Sequence, residues 1–388
     1  MATASPDWLF GTITDSAVKE LERRRGEITH VTPQSEPVTP ERIMRYCEGI
    51  GDDNPLFYDD AYAAASRWGG IIAPPTFLHA NSTFDIRTPR TPADPGDADP
   101  LPGVFAMVTG GRMVFERPLR PGDRVRSEGG LHRVVERRSQ MSGRSLELIS
   151  KHVFTNDRNE VVATTYPSVF RMERGPIRES RKYLDIPLPT YTEAQMAEIY
   201  AAYEHEHLQR RGAEPRFWEH TEPGEDLIVL VKGPLTITNI IAYCQGWFAP
   251  GVYANRLQHL YLMNHPSSRL VNPETNIEDD IVAAHWDPYF AQQSGIPFPY
   301  DEGIMRVGWL AHLLTDWMGD DAFVRELTVS LRRPNLLNDV SWCTGTVTGR
   351  RRDDEDRPVV DIDLWVTNQR DEQSAIGTAI VELPLRHA

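Results

Sequence analysis

A chain of 388 residues with 40% hydrophobic and 25% charged side chains has the apolar content for two globular domains. Its net charge of −15 argues against general nucleic-acid binding, which needs cationic surface to displace counterions from phosphate. Cys47, Cys244 and Cys343 are too few and too scattered for a disulfide framework or a zinc site, and neither a signal peptide nor an apolar run of membrane-spanning length is present, so the expectation is a cytoplasmic protein with no metal and no membrane partner.

In chain order, Ile43-Met44-Arg45-Tyr46-Cys47-Glu48-Gly49 leads into Gly51-Asp52-Asp53-Asn54-Pro55-Leu56-Phe57, a string of turn formers that ends on a phenyl ring. After Gly69-Gly70-Ile71-Ile72-Ala73-Pro74-Pro75, the apolar run 76–83 predicts the opening of a central helix. The proline-rich tract 88–96 predicts a surface loop. Alternation over 125–134, 145–154 and 161–171 predicts strands. Residues 175–220 read as a connector in which Thr192 caps a polar helix over 193–211, ended by Gly212 and Pro215. The domain boundary falls near residue 215, giving an N-terminal unit 1–175, a linker 176–214 and a C-terminal unit 215–388. In that second unit, residues 304–318 carry apolar side chains spaced as a buried helix requires, and 340–348, 359–366 and 375–385 alternate as strands. A helix followed by antiparallel strands, twice over, is an α+β arrangement.

Three segments recur in the same order, which points to an internal duplication. The string from Ile43 to Gly49 returns as Ile240-Ile241-Ala242-Tyr243-Cys244-Gln245-Gly246, and Phe57-Tyr58-Asp59 returns as His285-Trp286-Asp287. Arg117-Pro118 with Asp123 returns as Arg333-Pro334 with Asp339. The second copy carries an insertion before His285 that holds Tyr253, Asn255, Arg256 and His259 at near-helical spacing.

Gly51-Asp52-Asp53-Asn54-Pro55-Leu56 and Gly69-Gly70-Ile71-Ile72-Ala73-Pro74-Pro75-Thr76-Phe77 resemble the signature of MaoC-like, hot-dog enoyl-CoA hydratases, in which Gly-Asp-x-Asn-Pro-Leu precedes a catalytic His. The resemblance implies a tandem, or double, hot-dog fold, each half a long central helix packed on an antiparallel sheet. It also implies reversible hydration of 2-enoyl-CoA, or dehydration of 3-hydroxyacyl-CoA, with CoA or an acyl carrier protein arriving as part of the substrate and no other cofactor. Position 57 departs from the pattern, because a phenyl ring cannot move a proton.

The resemblance places His285 in the family's His column, in the other copy. Asp280 stands five residues before it, as Asp52 stands before position 57, so His285 and Asp280 are the expected catalytic pair. Alignment through Tyr243-Cys244 instead sets Ala249 opposite Asp52. Asp52, Asn54, Phe57, Tyr253, Asn255, His259 and Asp287 are the expected substrate-binding residues, with Phe57 a wall of the acyl channel. Structural readings stand beside these: Asp52 and Asn54 as turn formers, Asp287 as a helix cap, and His312 with Asp316 as a pair one helical turn apart. A non-catalytic acyl-thioester-binding subunit, and a related lyase or thioesterase, are the alternatives, and a homodimer or higher homo-oligomer suits any of them.

Overall fold

A computed structural model describes residues 11–80, 99–139, 143–173, 183, 185–266 and 268–386. The tract 88–96, the end of the run 76–83 and most of 175–184 lie outside the described residues.

After α1 (Asp15–Arg23) and the short β1 (His30–Val31), Thr39 accepts a hydrogen bond from the Arg42 amide and starts α2 (Pro40–Ile50). Gly51, at φ +67°, ends that helix in the left-handed conformation that glycine adopts without strain. Asn54 caps a 3-10 turn, Pro55–Phe57, and Asp59 caps α3 (Asp60–Ala65). The predicted central helix of this half is described only over a second 3-10 turn, Pro75–Ala80. Strands β2 (Phe105–Phe115), β3 (Val125–Ser139), β4 (Gly143–Asn156) and β5 (Val161–Met172) follow. The connector holds α4 (Glu193–Gln209), whose Thr192 and Gln195 form the reciprocal bonds of a capping box.

The second half repeats the order. β6 (Leu230–Lys232) precedes α5 (Ile237–Gly246), again capped by a threonine, Thr236. The insertion forms α6 (Arg256–Asn264) and a hairpin of β7 (Arg269–Asn272) and β8 (Ile277–Asp280). Asp280 caps the 3-10 turn Ile281–His285, Asp287 caps α7 (Pro288–Gln293), and α8 (Gly303–Met318) is buried from Met305 onward. Strands β9 (Phe323–Leu331), β10 (Ser341–Arg352), β11 (Pro358–Asn368) and β12 (Gln373–Glu382) complete it.

Equivalent backbone bonds show the duplication at atomic level. The Asp52 amide donates to Cys47 O at 2.9 Å, and the Ala249 amide to Cys244 O at 2.8 Å. The Ala73 amide donates to Leu119 O at 2.8 Å, and the Asp301 amide to Asn335 O at 2.9 Å. Asn156 and Asn368 close the β4–β5 and β11–β12 turns in the same way, each side-chain oxygen accepting from the amides two and four residues ahead. Thr155-Asn156-Asp157-Arg158-Asn159-Glu160 and Thr367-Asn368-Gln369-Arg370-Asp371-Glu372 are a fourth repeat, legible in the sequence once the turn is seen.

Among the described residues, ten strands form one antiparallel sheet in the order β1-β3-β4-β5-β2-β9-β12-β11-β10-β6, with α8 packed on it. The two half-sheets join at β2 and β9, the strands that the alternation pattern misses. β2 lacks a regular alternation because Gly110 and Gly111 interrupt it at a bulge. Gly110 has φ +109°, and a Cβ there would stand 2.0 Å from Val329 O on β9. This is a double hot-dog fold.

That contact predicts that Gly110→Ala destabilises the protein by about 1–3 kcal/mol, through both left-handed strain and overpacking. The midpoint of urea denaturation measures it, and an unchanged midpoint would show that β2 does not approach β9 this closely.

Candidate functional site

The turn Pro55–Phe57 and the turn Ile281–His285 occupy equivalent places, each followed two residues later by the aspartate that caps a six-residue helix. Phe57 and His285 therefore correspond, as do Ala249 and Asp52. The first half keeps the motif carboxylate without the imidazole, and the second keeps the imidazole without that carboxylate.

His285 Nδ1 lies 2.9 Å from the Tyr300 carbonyl. A carbonyl only accepts, so Nδ1 carries a proton, and Nε2 is the nitrogen left to share or exchange one with Glu302. Nε2 stands 3.3 Å from Glu302 Oε1, with the two side chains 14% and 15% exposed. The Tyr300 ring meets the imidazole edge-on at 4.5 Å between centroids. Glu302 is the N-cap residue of α8 but makes no cap bond with its side chain, so its carboxylate is available to the imidazole. The first amides of α8, from Gly303, have no intrahelical acceptor and point toward the same end. Asp301, bonded to Arg306 and to the Asn335 amide, fixes the loop from which Glu302 projects.

The expected Asp280–His285 dyad is not what the turn builds. Asp280 Oδ1 accepts from the Val282 amide at 2.9 Å, and Gly251 packs against its carboxyl, whose pKa burial raises. His285 is at the other end of that 3-10 turn, about 10 Å further along its axis at ~2 Å per residue. The carboxylate beside His285 is Glu302, which sequence reasoning missed; its signal was an acidic residue at the start of a helix otherwise buried and apolar.

The remaining expected residues are distributed around the fold. Asp287 accepts from the Tyr289 amide at 2.7 Å and caps α7. Tyr253 packs its ring 5.5 Å from that of Tyr261, Asn255 precedes α6 with φ +55°, and the His259 amide donates to Asn255 O. Asn54 accepts from the Leu56 amide and donates to Asp320. Phe57 is buried and walls a narrow cavity of about 40 Å³ with Pro74, Pro75, Met318 and Phe323.

Asp52 is joined to the second half. His312, from α8, places Nε2 3.7 Å from Asp52 Oδ1 and 3.3 Å from Asp316 Oδ2. Lys232 Nζ donates to His312 Nδ1 at 2.9 Å and to Gly51 O at 3.0 Å, while Arg210 from the connector donates to Asp316 at 2.8 Å. An ammonium only donates, so Nδ1 accepts and Nε2–H faces three carboxylates, Asp52, Asp316 and Glu206, the last at 3.7 Å. A metal-bound imidazole needs the reverse, an acceptor for its outer N–H, so the donor set of Asp52, His312 and Asp316 is that of a proton-bridged ion network rather than a cation site. Burial pushes the Asp52 carboxyl up, with the His312 ring working against it. Burial also acts to raise Asp316, but its bonds to His312 and Arg210 outweigh that and hold its carboxyl below the ordinary value.

A family model described as FAS1-like, dehydratase domain region, matches residues 27–165. A UPF0336 protein of Parafrankia sp. (strain EAN1pec) is 32% identical over 143 residues, which are 36% of this chain and 85% of that protein. The 3-oxo-4,17-pregnadiene-20-carboxyl-CoA hydratase alpha subunit of Mycobacterium tuberculosis is 29% identical over 135 residues, 33% of this chain and 42% of that subunit. The match thus spans less than half of the hydratase subunit. Among solved structures, a MaoC-like dehydratase aligns with a TM-score of 0.64 at 17% identity, covering 94% of this chain and 100% of that one. A conserved hypothetical protein of Mycobacterium tuberculosis with a double hot-dog fold aligns with a TM-score of 0.51 at 14% identity, covering 91% and 95%. The chain belongs to the MaoC-like dehydratase family of hot-dog proteins. Hydratase or dehydratase chemistry is supported at the level of that family.

Because Asp316 is buried and its carboxyl is held low, its ionised form stabilises the fold above the ordinary carboxylate pKa, and that stability is lost as pH falls through the lowered folded value. Asp316→Asn is therefore expected to cost about 2–3 kcal/mol at pH 7, because Arg210 keeps only the exposed Asp53 as a partner. Urea midpoints of wild type and variant should stay equally far apart down to about pH 4 and converge only below it.

Proposed function

We propose that this protein is a hydro-lyase that adds water reversibly to 2-enoyl thioesters, or removes it from 3-hydroxyacyl thioesters, at the His285 end of α8. The observation that supports this most directly is the His285–Glu302 pair beside the open N-terminus of α8. His285 Nε2 takes a proton from water, and the oxygen adds to C3 of the enoyl group. The electron pair moves through C2 to the thioester oxygen, where the first amides of α8 stabilise the enolate. The enolate then takes a proton at C2, with Glu302 and His285 passing it between them.

The first half provides an internal contrast. At the equivalent place Phe57 replaces the imidazole, and Pro75, two residues after Ala73 as Gly303 is two after Asp301, has no N–H to offer. Base and enolate donor are both lost there and both kept in the second half, as selection on one site in two would leave them. No cofactor is needed beyond the carrier that brings the acyl group, CoA or an acyl carrier protein. Where the relatives include a hydratase alpha subunit, this chain holds two hot-dog halves in one sheet and acts without a separate complementary subunit, alone or as a homo-oligomer. A reducing, cytoplasmic setting suits its three buried free thiols.

Loss of the ultraviolet absorbance of the conjugated thioester, followed over a series of 2-enoyl-CoA lengths, tests the reading. His285→Ala is expected to lower kcat about 10²–10⁴-fold and Glu302→Gln by a similar or smaller factor. Turnover of no thioester, or a His285→Ala rate within twofold of wild type, would overturn it; tight acyl-CoA binding without turnover would point to a binding subunit, the reading that Ala249 in the Asp52 column favours.

A further inference from the structure

Both ring nitrogens of His285 are met by one three-residue segment, Tyr300-Asp301-Glu302, through the Tyr300 carbonyl at Nδ1 and the Glu302 carboxylate at Nε2. Asp301, between them, has other partners. Its Oδ2 lies 2.7 Å from Arg306 Nε, and its Oδ1 accepts from the Asn335 amide at 3.0 Å. Arg306 also donates to the carbonyls of Arg333 and Ser374, while the Asn335 side chain donates to Ser341 Oγ at 3.0 Å. Asp301 and Arg306 thus tie the segment to the chain leaving β9 and to the start of β12, and Asn335 ties it to β10. All three side chains are buried. Burial raises the Asp301 carboxyl, and the Arg306 guanidinium beside it acts the other way.

The first half shows what the fold alone needs at these places. The Ala73 amide bonds Leu119 O as the Asp301 amide bonds Asn335 O, so Ala73 corresponds to Asp301 and Leu119 to Asn335. Leu78 follows Ala73 by five residues, as Arg306 follows Asp301. Ala73, Leu78 and Leu119 are buried as well. The same architecture therefore forms with three apolar side chains, and a buried ion pair adds little stability over apolar groups of similar volume, because desolvation offsets its Coulomb energy. Stability alone leaves the charged set unexplained. It occurs in the copy that holds an imidazole, and the apolar set in the copy that holds a phenyl ring at that place. An imidazole acts as a base only when its proton is on the right nitrogen and the other is aimed, whereas a phenyl ring has no such need. Charge-assisted hydrogen bonds fix direction, which apolar packing does not.

We infer that Asp301 and Arg306 are positioning residues of the His285 site: their buried ion pair holds Tyr300-Asp301-Glu302 so that the Tyr300 carbonyl keeps a proton on His285 Nδ1 and the Glu302 carboxylate engages Nε2. The consequence for turnover rests on the hydratase reading, but the tautomer of His285 has its own readout.

The test copies the first half's side chains into the second, as Asp301→Ala, Arg306→Leu and Asn335→Leu together in the full-length protein. Nitrogen-15 NMR of the imidazoles, at a pH above the ordinary histidine pKa, reports which nitrogen holds the proton, and the His285 signals are those absent from His285→Ala. Wild type is expected to hold the proton on Nδ1. The triple variant is expected to fold, to sample both tautomers, and to lower kcat about 10–10²-fold with KM within about threefold. A folded triple variant with the wild-type tautomer, or with unchanged kcat, overturns the inference, as does a wild-type His285 that already samples both tautomers. If the triple variant does not fold, Asp301→Asn decides by the same spectra, because it keeps an acceptor for the Asn335 amide and removes the charge. Mixed tautomers in it uphold the positioning role, and a proton held on Nδ1 sinks it. If wild type hydrates no 2-enoyl-CoA, the hydratase reading fails by itself, and the tautomer still settles what Asp301 and Arg306 do.

Discussion

The antiparallel pairing of β2 with β9 is the constraint on which the rest of this structure depends. It turns two half-sheets into one, and it requires Gly110, because any side chain there would run into the β9 backbone. With the sheet continuous, α8 packs on it in contact with strands of both halves, which is why a sixteen-residue helix carrying Arg306, His312 and Asp316 is buried almost throughout. The same pairing brings the inner face of the first half-sheet to Ile304 and Val307 of α8, which line a cavity of about 470 Å³ with it.

Burial of α8 imposes a second requirement. Charged groups inside a protein must be paired, or their desolvation is left uncompensated. His312 and Asp316 find partners in the old hydratase motif, at Asp52, and in the connector and β6, at Arg210 and Lys232. The motif that has lost its imidazole at position 57 thus binds the first half, the connector and the second half together. Its Asn54 extends this role through Asp320, which also accepts from Tyr62 at 2.6 Å. The other end of α8 holds the second imidazole–carboxylate pair, His285 with Glu302.

Much of the local structure was legible. Thr192 as a cap, the apolar spacing of 304–318 and the alternation of six strands each act over a few residues, so the pattern carries them. The duplication was legible because it preserves turn chemistry, and it assigned His285 to the column of Phe57. β2 and β9 were not: β2 breaks alternation at its glycine bulge, and a junction strand is defined by its neighbour more than by its own sequence. Asp280 was chosen by counting residues, but a capping carboxylate is turned back onto its own turn and cannot also reach the turn's far end.

The sequence by itself determined the family, the repeated turns and helices, and the residue that carries an imidazole where the first copy has a phenyl ring. Those follow from local spacing and side-chain type. Only the tertiary structure decided the partners: Glu302 for His285, His312 for Asp52, and Arg210 for Asp316. The physical reason is that pairing depends on where the backbone points a carboxylate or a ring, and that direction is set by strand pairing and helix burial between segments as much as 260 residues apart in the chain.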